Sequence, residues 1–374
     1  MPRGIPVRKC SECGFPLRFA CYFDWRSDGT ILGTDRVRMQ SRITFLEHGE
    51  VDGLFDDLAI MLGLPIDHIL IEAEKNVGKA FYASTPLQYL RFAPRNPSLR
   101  PAWLAKAAVR AVRTDVAGLG SGVIRAESYD PRGSMELRIS NPVFAARTVG
   151  NSIGIYESIE RIHGAHYEYR MEDGELVIVM RHPTGSKEPA PLSETRLVLD
   201  EVVSGDGSVT YERCASCRTP RDASKSLEWD LPRGTITNRL TRRREVVGSV
   251  QSVNAMMREL EAELGEDVFK PLFECQKQIT RQQLEAEGIK KGDGFWDRFL
   301  FSCAIRGLGF PLATQADEGS VTVEIANAYN QVLYAARVAS AFEYASGLPS
   351  DTEWIKRQSD LCAFTVSASP DVRV

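Results

Sequence analysis

Cys10-Ser11-Glu12-Cys13 is answered by Cys214-Ala215-Ser216-Cys217, a shift of 204 positions (214 − 10). Two thiolates in one tight turn can grip a metal ion, and structural zinc takes four nitrogen or sulfur ligands. Neither pair has a second Cys-x-x-Cys or a His-x-x-x-His close behind it. Cys21 could add a third ligand to the first pair, but the matching position in the second is Lys225. The economical arrangement joins the pairs, so that Cys10, Cys13, Cys214 and Cys217 form one structural zinc site. Two incomplete sites shared with a second chain, a redox pair and reduced structural thiols are the alternatives. A redox Cys-x-x-Cys usually opens a helix, whereas strand-like sequence follows both pairs here.

The flanks of the cysteines repeat as well. Pro16 and Trp25 return as Pro220 and Trp229 at the same shift, and Gly29-Thr30-Ile31 returns as Gly234-Thr235-Ile236 after one inserted residue. Val51, Leu54, Leu58, Leu62, Gly63, Glu72 and Lys75 match Val253, Met256, Leu260, Leu264, Gly265, Glu274 and Lys277 at a shift of 202. Gly118-Leu119-Gly120 matches Gly307-Leu308-Gly309, and Ser134, Ile139 and Asn141 match Ser320, Ile325 and Asn327 at a shift of 186. The order of matches is the same in both runs, and each change of shift is a gap that a loop absorbs. The pattern predicts an internal duplication, with residues 1–204 as one copy and 205–374 as the other.

Elements that could position these residues follow from periodicity. In the first copy a hairpin is expected from Phe15 to Trp25 with a turn at Ser27-Asp28-Gly29, then a strand over Arg38 to Leu46. Apolar residues at 51, 54, 55, 58, 61 and 62 predict a helix, and helices follow over Ile66 to Phe81 and Trp103 to Val116, with a proline-marked break at Pro94, Pro97 and Pro101. Strands at Val123 to Ser128 and Met135 to Ile139 flank the turn Asp130 to Gly133. Asn141-Pro142 is expected to cap and open a helix to Ile162. Strands near His166 to Met171 and Leu176 to Met180, a linker from His182 to Glu194 and a strand over Arg196 to Val203 close the copy. The second copy repeats this from Val209: helices at Ser252 to Leu264, Val268 to Glu287 and Phe295 to Ile305, strands near Phe310 to Ala316 and Val321 to Ile325, an Asn327-capped helix to Ser346, and strands near Thr352 to Lys356 and Leu361 to Val366. The fold class is α+β: in each copy a zinc-knuckle hairpin followed by helices packed on a small antiparallel sheet.

The remaining polar motifs have structural readings. Glu72 with Lys75 and Glu274 with Lys277 share a helix face as ion pairs. Cys275, Cys303 and Cys362 lie on apolar stretches and are expected to be buried. His163 and His166 read as surface residues at a chain turn. Gly118 to Gly122 is a helix stop, because a dinucleotide loop needs a strand before it. Arg242-Arg243-Arg244 beside Glu245 reads as a solvated face. A net charge of −4 gives no basic excess for nucleic acid, and the apolar runs fall short of a membrane span. No secretory leader is visible after Met1. Eight cysteines in a cytoplasmic chain point to metal or free thiols over disulfides.

The last third of each copy resembles the 4-vinyl reductase domain family. The matching residues are Gly307-Leu308-Gly309, the strand Val321 to Asn327, the helix after it and Asp360-Leu361-Cys362-Ala363-Phe364-Thr365-Val366, which is similar to the family's terminal Cys-x-Phe-x-Val strand. The first copy offers Gly118-Leu119-Gly120, Leu137 to Asn141 and Glu175 to Val179, without the cysteine. The family's other cysteines are absent, and Trp354 stands near one expected position. The resemblance implies helices on a small antiparallel sheet, as in the haem nitric-oxide-binding and TRAPP small-subunit folds. It also implies sensing or regulation more often than catalysis, and an apolar pocket between helix and sheet for an aromatic or tetrapyrrole-like molecule. Residues and resemblance together give the expectation of a zinc-containing cytoplasmic regulatory protein, a small-molecule sensor or a protein-interaction scaffold. The alternative is an enzyme or chaperone acting on a hydrophobic cofactor such as a tetrapyrrole.

Overall fold

The computed structural model describes residues 7–34, 40–84, 103–131, 133–183, 207–358 and 361–370. The first half carries α1 (Leu17–Ala20), β1 (Phe23–Trp25), β2 (Ile31–Thr34), β3 (Gln40–Glu47), α2 (Leu54–Leu62), α3 (Asp67–Ser84), α4 (Trp103–Gly118), β4 (Val123–Asp130), β5 (Ser134–Ser140), α5 (Ala145–Glu160), β6 (His166–Glu172) and β7 (Glu175–Arg181). The second carries α6 (Arg221–Ser226), β8 (Leu227–Asp230), β9 (Thr235–Asn238), β10 (Arg244–Ser249), α7 (Val250–Leu264), α8 (Phe269–Glu287), α9 (Phe295–Ile305), β11 (Ala313–Ala316), β12 (Ser320–Ile325), α10 (Gln331–Ser346), β13 (Ser350–Arg357) and β14 (Cys362–Ala368). The chain is thus mixed helix and antiparallel sheet, and the two halves run through the same order of element types.

Three sheets organise these elements. Two four-stranded sheets, β4-β5-β7-β6 and β11-β12-β14-β13, lie one in each half. The third has six strands in the order β1-β2-β3-β10-β9-β8, three from each half, joined at an antiparallel β3–β10 seam with Phe45 opposite Val247. Side chains alternate along the half-buried strands, and β5 and β12 each bury every second residue.

The hairpin of each half docks on the other half. Trp25 Nε1 donates to the Ile305 carbonyl at 2.9 Å, and Trp229 Nε1 donates to the Gly118 carbonyl at 3.0 Å. The Phe45 amide bonds Arg306 O and the Val247 amide bonds Leu119 O, both at 2.8 Å. Glycines sit at these crossings, and Gly122, two residues after the Gly120 that the sequence pairs with Gly309, makes the bond equivalent to that of Gly309. Gly309 N bonds Gly29 O at 3.1 Å and Gly122 N bonds Gly234 O at 2.9 Å. Gly29 and Gly234 have φ of +74° and +67°, and a Cβ on Gly234 would fall 2.3 Å from Gly122 O. Only glycine meets both demands.

Several expectations shift. Residues 17–20 form the short helix α1 behind Pro16, so the first hairpin is β1–β2 across Ser27 to Thr30, with Asp28 Oδ1 accepting from the Thr30 amide at 3.0 Å. A π-helical turn at Gly49–Gly53 precedes α2, whose apolar stripe fails in its last turn, where Met61 is exposed. Asn141 and Asn327 do not cap helices. Asn141 has φ of +51°, outside the extended region a cap needs, and donates instead to Arg233 O at 3.1 Å. Asn327 is buried and donates to Asp28 Oδ2 at 2.9 Å. Both therefore bond the other half's hairpin. α10 is capped by Asn330, which accepts from Leu333 N at 3.1 Å.

The break at Pro94, Pro97 and Pro101, the linker after Pro183, the strand over Arg196 to Val203 and the start of the strand at Arg38 lie outside the described residues. Among the described residues no helix is long and apolar enough to cross a membrane.

Candidate metal centre

Each knuckle is a tight turn closed by its own backbone. Cys10 N bonds Phe15 O at 2.8 Å and Gly14 N returns to Cys10 O at 2.9 Å. In the second knuckle Cys214 N bonds Thr219 O at 2.9 Å and Arg218 N returns to Cys214 O at 3.0 Å. Gly14 and Arg218 take the same left-handed φ, +76° and +66°. Isolated bridges Lys9–Pro16 and Arg213–Pro220 seal the bases. Beneath them Phe15 packs edge-on against Trp25 and Trp229, with ring centroids at 6.2 and 4.6 Å.

The two knuckles face each other, and the four Sγ atoms of Cys10, Cys13, Cys214 and Cys217 all lie within 4.8 Å of one another. The contacts between halves are Cys10–Cys214 at 3.7 Å and Cys13–Cys217 at 3.4 Å. A zinc tetrahedron with bonds of about 2.3 Å has sulfur–sulfur edges of about 3.8 Å, so the four thiols fit a single ion. Backbone N–H groups of Cys13 and Glu12 pull the Cys10 thiol down to about 7, while burial pushes Cys13 and Cys214 up. A bound dication would favour all four thiolates.

Glu12 ties one knuckle to the other. Its Oε2 accepts from the Ser216 amide at 3.1 Å and the Ser216 hydroxyl at 2.9 Å, and its Oε1 pairs with Arg221. Hydrogen bonds from the Ser216 side chain first, then from Cys214 and the Ser216 and Ala215 amides, hold its carboxyl down at about 2. Arg213 crosses as well, donating to Trp25 O at 2.6 Å.

The other candidates lie elsewhere. Cys21 is exposed and outside the four-thiol group. Cys275, Cys303 and Cys362 are buried, and burial pushes their thiols up to about 11, 12 and 11. His163 and His166 are exposed. Lys75 pairs with Glu72 at 2.6 Å, and Lys277 lies 3.5 Å from Glu274 and 2.7 Å from Glu343. The arginine run is not a solvated face. Arg243 reaches Glu47 at 3.2 Å, and Arg244 donates to Pro142 O at 3.1 Å and Gly120 O at 2.9 Å. Of the three, Arg242 is exposed, while Arg243 and Arg244 are half-buried in contacts with the first half.

Sequence alone does not point to a second, buried polar cluster. Glu47, Glu50 and Glu245 meet Arg306 and Arg337, with every side chain exposed by 3% or less except Arg306 at 13%. Glu50 accepts from the Glu47 amide at 2.7 Å and from Arg306 at 2.9 Å, and pairs with Arg337. The one visible signal is Arg337 itself, a charge inside the apolar run from Val332 to Phe342.

Among the described residues, the two best-formed cavities hold about 10 Å³ each, room for one water. One lies between α2, α7 and the start of α10, the other beside Arg306 and Arg337. The apolar pocket expected between the long helix and its sheet is not at either place. Compared with family models, curated proteins and solved structures, the chain finds no match in any of the three.

Proposed function

We propose that the chain is a zinc-containing regulatory scaffold, built from two copies of one module that a shared structural zinc clamps together. The observation that carries this reading is the division of thiols: two come from each half, and they meet across the halves at 3.7 and 3.4 Å. A metal so held stabilises only the assembled arrangement. Reduced thiols at all four positions suit a reducing, cytoplasmic compartment.

The copies are read as a duplication on several supports. Trp25 and Trp229 make equivalent bonds to the opposite half, and the Asn141 and Asn327 amides each donate to the opposite hairpin, to the Arg233 carbonyl and the Asp28 carboxylate. The resemblance to the 4-vinyl reductase family is kept as the proposed origin of the modules β4 to β7 and β11 to β14. The scaffold form is favoured over the small-molecule sensor because pockets for such ligands run to about 300 Å³ or more, far above a one-water cavity.

The test is metal analysis of the purified chain and of a Cys214→Ser/Cys217→Ser variant. The wild type should carry one zinc and the variant almost none, with a lower melting temperature. A full equivalent of zinc in the variant would mean that the first knuckle binds alone, and the clamp reading would fall.

A further inference from the structure

We propose that Glu47 and Glu245, opposite each other across the β3–β10 seam, act as a proton-sensitive latch between the two halves: taking up one proton tightens the seam and losing it loosens the seam. Like charges directly opposite on paired strands repel, and here both carboxylates are buried. The fold does not require acids at such a place. Under the 202-residue shift the same pair becomes Ile43 (245 − 202) and Ser249 (47 + 202), which also face each other across the seam. Only one of the two equivalent places carries charge.

The groups around the pair leave one carboxylate over. Facing it are Glu50 from the turn after β3, Asn238 from β9, Arg243 before β10, Gln283 and Glu287 from α8, Cys303 from α9, Arg306 just after it and Arg337 from α10. Glu47, Glu50, Glu245 and Glu287 are four acids against the three cations Arg243, Arg306 and Arg337, an excess of one negative charge (4 − 3). Glu47 has Arg243 at 3.2 Å and Gln283 at 3.3 Å. Arg306 sits 2.9 Å from Glu50 but 3.6 Å from Glu245. Glu245 keeps only the Asn238 amide at 3.3 Å as a close donor, and its Oε2 has no hydrogen-bond partner. It is the group with most to gain from a proton.

Electrostatics agrees with the geometry. Burial raises the Glu245 carboxyl from 4.5 to about 7, with Glu47 adding to the rise and Arg306 opposing it. Glu287 is raised by burial too, and the Cys303 thiol, at about 12, stays neutral. Because the folded value lies above the unfolded one, the folded state holds more protons between them. Stability from this group is therefore greatest below about 4.5 and falls as pH rises through about 7. With those two values, moving from about pH 5.5 to about pH 8.5 raises the unfolding equilibrium constant about thirtyfold.

The experiment is urea unfolding of the full, metal-loaded chain across that range, wild type against Glu245→Gln. The wild type should lose stability by that factor, and the variant should lose most of the slope while exceeding the wild type at alkaline pH. Equal slopes would overturn the latch. Should the variant fail to fold, hydrogen exchange of the wild type decides. Protection of the β3 and β10 amides, corrected for intrinsic rates, should fall with pH relative to β5 and β7, and a uniform change or none would overturn the proposal.

Discussion

Replacing Arg337 by methionine should be among the most damaging single changes to this chain, and replacing Glu50 with it should undo most of the damage. Arg337 is 2% exposed in the middle of α10. Its Nε donates to the Tyr329 hydroxyl at 3.1 Å, its Nη1 to Gln283 Oε1 at 3.2 Å, and its remaining nitrogen pairs with Glu50. Removing one partner of a buried pair costs about 3–5 kcal/mol, mostly for the charge left behind. Glu50 would keep Arg306 and the Glu47 amide, which sets the cost of Arg337→Met near the low end, about 3 kcal/mol. The double variant Arg337→Met/Glu50→Gln strands no such charge, and a buried pair exchanged for neutral groups is often close to neutral, so it should lie within about 1–2 kcal/mol of wild type. Denaturant unfolding followed by fluorescence of the buried Trp25 and Trp229 measures all four corners of the cycle. A single-variant loss below about 1 kcal/mol, or a double variant equal to the sum of the singles, would refute the reasoning.

Three further outcomes are expected. Asn330→Ala should cost about 1 kcal/mol by removing the α10 cap, and an unchanged melting temperature would contradict that assignment. Trp25→Phe and Trp229→Phe should each lose about 1 kcal/mol for one hydrogen bond and by similar amounts, since each indole bonds the other half; a marked inequality in denaturant unfolding would argue against equivalent docking. Glu12→Gln should release metal to a chelator faster than wild type while leaving stoichiometry intact, and an unaltered release rate would remove Glu12 from the grip on the site.

The grouping of Cys10, Cys13, Cys214 and Cys217 was legible because Cys-x-x-Cys chemistry fixes its own spacing, and because the flanking tryptophans and glycines repeat with it. Most helices and strands were legible from periodicity, since long amphipathic runs such as α3 and α8 carry a strong signal. What sequence could not carry was which half a residue would touch. Asn141 and Asn327 sit where a cap is expected, yet their amides are taken by the opposite hairpin. Arg243 and Arg244 look solvated beside Arg242 until β10 pairs with β3 and brings them against Glu47 and the Gly120 carbonyl of the first half. Glu47 and Glu245 lie 198 positions apart (245 − 47), and nothing local marks them as neighbours.

The central claim is one metal shared by two halves, and X-ray absorption at the zinc edge of the intact chain tests it most directly. The account predicts one zinc per chain with four sulfur neighbours at about 2.3 Å and no nitrogen or oxygen in its first coordination sphere. Two zinc ions per chain, each with two sulfurs and lighter atoms, would contradict it.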